Sequence, residues 1–97
     1  MGAILILRLR EIFDGVLVEM VVWQLPAPVP GCSHFYKYRF YAGLLGDTCL
    51  IRYDNERGKG DLRHLEGNEE AYVFTTLNDL RSTFEREVRC WIKENRP

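Results

Sequence analysis

Asp14-Gly15 sits between two runs of alternating residues, and this arrangement constrains the chain more than any other. Residues 4–13 (ILILRLREIF) put Leu5, Leu7 and Leu9 on one side and Arg8 and Arg10 on the other. A two-residue period is that of a half-buried strand. Residues 16–24 (VLVEMVVWQ) supply a return strand rich in β-branched side chains. A two-residue Asp-Gly link suits a type I′ turn, whose central positions both need positive φ. The first 24 residues therefore predict an antiparallel hairpin.

The rest of the chain continues that pattern. Pro26, Pro28 and Pro30 remove backbone donors and forbid a ladder strand, and Gly31 completes a loop. His34, just after it, reads as a strand-end residue. Residues 34–42 (HFYKYRFYA) alternate again, with Phe35, Lys37, Arg39 and Tyr41 opposite Tyr36, Tyr38, Phe40 and Ala42. Gly46-Asp47 marks a turn, and residues 48–54 form a fourth strand. Residues 55–69 hold three glycines and no apolar period, which predicts a long loop. A fifth strand is expected at 70–74. Leu77, Leu80, Phe84, Val88 and Trp91 then make one apolar stripe, predicting a helix over 77–94. Thr76 is a suitable N-cap, and Asp79 favours the positive end of the helix dipole. The expected fold is α+β: a curved antiparallel sheet of about five strands with one C-terminal helix packed on one face.

Size and charge exclude several classes. Ninety-seven residues fit one domain spanning 1–97. A net charge of −1 excludes a uniformly basic coat for nucleic acid, but not a local basic patch. No apolar run approaches the ~20 residues of a membrane-spanning helix. Arg8, Arg10 and Glu11 interrupt the apolar N-terminus, so it does not read as a signal segment. The expectation is a cytoplasmic chain with no membrane partner. Cys32, Cys49 and Cys90 are odd in number and widely spaced, which fits free thiols.

The segment Arg52–His64 (RYDNERGKGDLRH) is the densest in chemistry. Its thirteen residues hold four cations, three carboxylates and one histidine. Arg52, Arg57, Lys59 and Arg63 suit phosphate, and Asp54, Glu56, Asp61 and His64 are proton carriers. A solvated loop also carries such charges, in weak ion pairs. The segment lacks a phosphate-loop signature. Asp54, Asp61 and His64 could in principle ligate a metal, but no spacing supports one, and neither metal nor cofactor is expected. A second surface is the strand face of Lys37, Arg39 and Tyr41, which Arg52 extends. Cations interleaved with aromatics suit single-stranded RNA.

The stretch around "W-x-L-P-x-P-x-P-G" (Trp23–Gly31), followed by YDNERGKGDLRH (Tyr53–His64), resembles the TumE family over roughly residues 4–92. That resemblance implies a growth-inhibiting toxin of a bacterial type II toxin–antitoxin pair, with a DNA-binding antitoxin as partner. The family's last motif reads G-D-H-R-H, and this chain has Leu62 at its first histidine. The leading expectation is a metal-independent endoribonuclease. In it, His64, Asp61, Asp54 and Glu56 move protons, Arg57, Lys59 and Arg63 hold phosphate, and Lys37, Arg39, Tyr41 and Arg52 bind RNA. The alternative is a non-enzymatic toxin that blocks a protein or ribosomal target through the aromatic and basic sheet face. A homodimer or a toxin–antitoxin hetero-oligomer is compatible with either.

Overall fold

The computed structural model describes residues 2–46 and 48–95. Its elements are β1 (Ile4–Phe13), β2 (Val16–Gln24), β3 (Tyr36–Leu44), β4 (Thr48–Glu56), β5 (Gly60–Leu65), β6 (Asn68–Ala71) and α1 (Leu77–Asn95). The strands form one antiparallel sheet in chain order, and α1 packs on one face. The expected α+β class is the observed one. Asp14 and Gly15 have φ of 50° and 80°, as the predicted two-residue turn requires.

Other expectations are corrected. Residues 55–69 are not a loop: β4 runs on to Glu56, and β5 occupies Gly60–Leu65. Glu66 and Gly67 (φ 47° and 90°) make a second two-residue turn into β6, which starts at Asn68 rather than residue 70. The sheet thus has six strands, not five. Leu5 also leaves the Leu7–Leu9 stripe. An irregularity between Leu5 and Leu7 pairs Leu5 with Trp23 and Leu7 with Val22, so the two face opposite sides.

The core lies between the sheet and α1. Val16, Val18, Met20 and Val22 of β2, Tyr38, Phe40 and Ala42 of β3, and Ile51 and Tyr53 of β4 are buried on that face. Leu80, Phe84 and Val88 meet them from the helix. Phe84 stands edge-on to Phe40 at 5.5 Å and to Tyr53 at 6.2 Å between ring centroids, the arrangement aromatic quadrupoles favour. The helix begins where the sequence predicts. Thr76 Oγ1 accepts the Asp79 N–H at 3.0 Å, and Asp79 Oδ2 accepts the Thr75 hydroxyl at 2.7 Å. No described helix is long and apolar enough to cross a membrane.

A polar lock fastens α1 to the sheet. Glu87 accepts the Tyr53 hydroxyl at 2.7 Å and Arg63 Nη2 at 2.6 Å, while Arg63 Nε donates to the Tyr53 hydroxyl at 2.9 Å. The Glu87 hydrogen bond holds Arg63 firmly charged, above its ordinary pKa. Burial pushes the Tyr53 phenol up, and the bond to Glu87 adds to the shift. Glu87→Ala leaves two partly buried donors without their acceptor. The expected loss is about 2 kcal/mol, measured by urea denaturation.

Candidate functional site

Strand alternation divides the charged segment between two faces. Arg52 pairs with His64 and Asp54 with Leu62, on the face away from α1. Tyr53 pairs with Arg63 and Asn55 with Asp61, on the helix side. The residues expected to act from one loop therefore do not converge. His64, Asp54 and Arg52 share the open face. Asp61 and Arg63 point the other way and are committed to structure. Arg57 and Lys59 lie in the exposed tip between β4 and β5, and Glu56 enters it.

The open face carries a compact charged cluster. Arg52 Nη2 donates to His64 Nε2 at 3.1 Å. Arg52 Nε lies 3.2 Å from Asp54 Oδ2. His64 Nε2 is also 3.6 Å from Asp54 Oδ1 and 3.6 Å from Glu69 Oε1. Its Nε2 lone pair faces a guanidinium, and two carboxylates stand just beyond hydrogen-bond distance of the same nitrogen. The Asp54 and His64 side chains are each only 15% exposed. Arg52 Nε and Asp54 Oδ1 are buried without a hydrogen bond, so the 3.2 Å contact is an ion pair by distance without hydrogen-bond alignment. Lys59 Nζ lies 3.8 Å from both Glu56 and Glu69.

The same face continues across β3 and β2. Tyr41 is paired with Arg52, Arg39 with Asp54, and Glu19 with Tyr41. The Arg39 guanidinium lies 4.8 Å from the Tyr41 ring centroid and 3.6 Å from Glu19. Lys37 donates to the Asn55 carbonyl. The four residues expected to bind RNA are thus contiguous.

The helix-side cluster is of another kind, and the sequence reading missed its centre. Asn55 is fully buried. Its Oδ1 accepts the Tyr38 N–H at 3.1 Å, and its Nδ2 donates to the Tyr36 carbonyl at 2.7 Å and to Cys32 Sγ at 3.6 Å. Asp61 Oδ1 accepts from His34 Nε2 and from the Tyr38 hydroxyl, both at 2.7 Å. His34 lies against Phe74, with centroids 3.9 Å apart. Burial, then the bond to Asp61, pushes the Tyr38 phenol up. Burial likewise raises the Cys32 thiol.

Cys32, His34 and Asp61 offer ligand atoms within 4.8 Å of one another. The His34 tautomer opposes metal binding there. The Tyr36 N–H donates to His34 Nδ1 at 3.1 Å, so the neutral ring carries its proton on Nε2 and gives it to Asp61. Such a ring has no lone pair free for a metal or for the Cys32 proton. The cluster is a clasp that binds the proline loop to the β4–β5 tip. Close backbone contact completes it: the Gly58 N–H donates to the Pro30 carbonyl at 2.7 Å.

Gly60 (φ +82°) faces the Gly31 carbonyl, and an added Cβ would stand 2.9 Å from that oxygen. Gly58 (φ +83°) has open space around it. Gly60→Ala should therefore cost about 2 kcal/mol more than Gly58→Ala, because only the former adds overpacking to backbone strain. Thermal or urea denaturation of the two variants measures the difference.

No curated protein and no solved structure matches the chain. The family model described as Toxin TumE matches residues 3–92. That span takes in the proline loop, the clasp and the open-face cluster, and the chain belongs to the Toxin TumE family.

Proposed function

We propose that this toxin acts on RNA as an endoribonuclease and that the open sheet face is its site. The observation that carries this reading is the His64 imidazole held between the Arg52 guanidinium and the Asp54 and Glu69 carboxylates. It lies on a face that continues into Arg39, Tyr41 and Lys37. Cations along a strand and a half-buried aromatic beside them suit a single-stranded backbone.

The residues suit internal transesterification. The RNA 2′-oxygen attacks the adjacent phosphorus, and His64 takes the 2′-hydroxyl proton on Nε2 once Arg52 turns from that nitrogen to the phosphate. Arg52 stabilises the charge that gathers on the non-bridging oxygens. The bond from phosphorus to the 5′-oxygen breaks, and the His64 proton returns to that oxygen. The products are a 2′,3′-cyclic phosphate and a 5′-hydroxyl. Asp54 and Glu69, each 3.6 Å from Nε2, orient the imidazole. Every group in this scheme is a side chain, so cleavage should persist in EDTA. Asp61 and Arg63 act only by holding the hairpin and the helix. A cognate antitoxin is expected to bind DNA, and the place of action is expected to be cytoplasmic.

His64→Ala should lower RNA cleavage at least 100-fold, the lower end for a lost general base, with the circular dichroism spectrum unchanged. A 2′-deoxy substitution at the cleaved nucleotide should stop the reaction. Growth arrest that survives His64→Ala but is lost with Tyr41→Ala would replace this reading with a non-enzymatic block through the sheet face.

Arg39→Ala should leave the chemical step intact and weaken RNA binding. The slope of log affinity against log salt should fall by about 0.7, the value for one phosphate contact on a single strand. Filter binding across a salt series measures it.

A further inference from the structure

The two edges of the sheet differ. β6 is four exposed residues (NEEA), and its carboxylates already serve internal partners. Glu69 lies near Lys59 and His64, and Glu70 near Arg63. Short, charged edges of that kind discourage strand addition. β1 is ten residues long and pairs only with β2. Ile4, Leu5, Ile6, Ile12 and Phe13 are between 43% and 61% exposed along it. Beside it, on the helix side, a cavity of about 580 Å³ opens between the sheet and α1, lined by Leu9, Phe13, Met20, Val88 and Ile92.

We propose that β1 is the docking edge for an extended segment of a partner protein that alternates apolar and acidic residues. Such a segment adds a seventh strand by backbone hydrogen bonding. Its apolar side chains extend the wall of the cavity beyond Leu9 and Phe13. Its carboxylates lie beside Arg8 and Arg10 on the open face. Arg8 makes no ion pair among the described residues, and Arg10 reaches Glu19 only at 3.6 Å while largely exposed.

In the registers that pair most of β1 with its copy, charge selects this occupant over a second copy of the chain. A two-fold dimer through antiparallel β1 edges must keep both helices on one side of the joined sheet. Centred on Arg8 or on Arg10, it sets that arginine against itself. Centred on Leu9, it sets Arg8 against Arg10. Like charges directly opposite destabilise a strand pair. A foreign strand with carboxylates at those two positions turns the same residues into favourable cross-strand pairs. Three strands separate this edge from β5 and His64. The proposal is compatible with the family's toxin role, which implies a protein antitoxin, and does not depend on the RNA reading.

Two capped peptides test it against the full chain labelled with ¹⁵N. One has the core VKEVEV, which sets valine opposite Ile12, Leu9 and Leu7, lysine opposite Glu11, and glutamate opposite Arg10 and Arg8. The other has the charge-reversed core VEKVKV. The first should shift and protect the amides of Ile4–Phe13 and bind at least tenfold more tightly. The double variant Arg8→Glu/Arg10→Glu should invert the preference. Equal binding of the two peptides by the unaltered chain overturns the proposal without reference to any variant. So does binding by neither, or shifts confined to other strands. A chain that sediments as a dimer with β1 amides protected shows the second copy as the occupant and overturns it too.

Discussion

The buried amide of Asn55 holds the working end of this sheet together. A side chain with no exposure must find its hydrogen bonds inside the protein, and Asn55 finds them on the β3 backbone and on Cys32. It thereby fixes the end of β4 against the start of β3 and against the proline loop. The Gly31–Gly60 approach and the bond from Gly58 to the Pro30 carbonyl leave that loop one seat. The β4–β5 register follows, and with it the pairing of Arg52 with His64. A one-residue slip would turn His64 to the helix side and Arg63 to the open one.

The two faces treat charge differently. On the helix side, Arg63 meets Glu87, and Asp61 meets His34 and Tyr38, at hydrogen-bonding distances of 2.6–2.7 Å. Partly desolvated charges are tolerable there because they are fully engaged. On the open side the contacts are longer, and two buried polar atoms lack a hydrogen bond. An unsatisfied buried group costs roughly 1–3 kcal/mol, a cost expected where groups are held for a ligand rather than for the fold. This asymmetry, more than the number of charges, separates the candidate site from the scaffold.

The fold was largely legible because its first hairpin and its helix obey simple periods. The Asp14-Gly15 turn, the Leu80–Phe84–Val88 stripe and the Thr76 cap all stand where the sequence put them. The β4–β5–β6 hairpins were not legible, for a physical reason. Apolar alternation marks a strand only when one face is core and the other solvent. Residues 60–65 carry the clasp and the helix lock on one side and the charged cluster on the other, so their period is written mostly in polar residues. Glu66-Gly67 also lacks the Asp or Asn that usually marks such a turn. The residue types of the site could be read, but their division between faces could not. His34 and Asn55 carried no signal, since their role exists only once distant segments meet.

Near-neutral net charge conceals this sorting. The open face displays Arg8, Arg10, Lys37, Arg39 and Arg52 on three of its strands, β1, β3 and β4, while Arg63 is spent on the helix side. A phosphate backbone meets a local field, so the sum over the chain is a poor guide to what this face attracts. Leu62 sharpens the chemistry expected there. It lies opposite Asp54 on the open face and is 6% exposed, at the position where the resembled motif has a histidine. Leucine offers Asp54 Oδ1 no donor, which fits that atom's lack of a hydrogen bond. Among the described residues the face then has one imidazole, so under the proposed chemistry His64 must both take the proton from the attacking oxygen and return it to the leaving one.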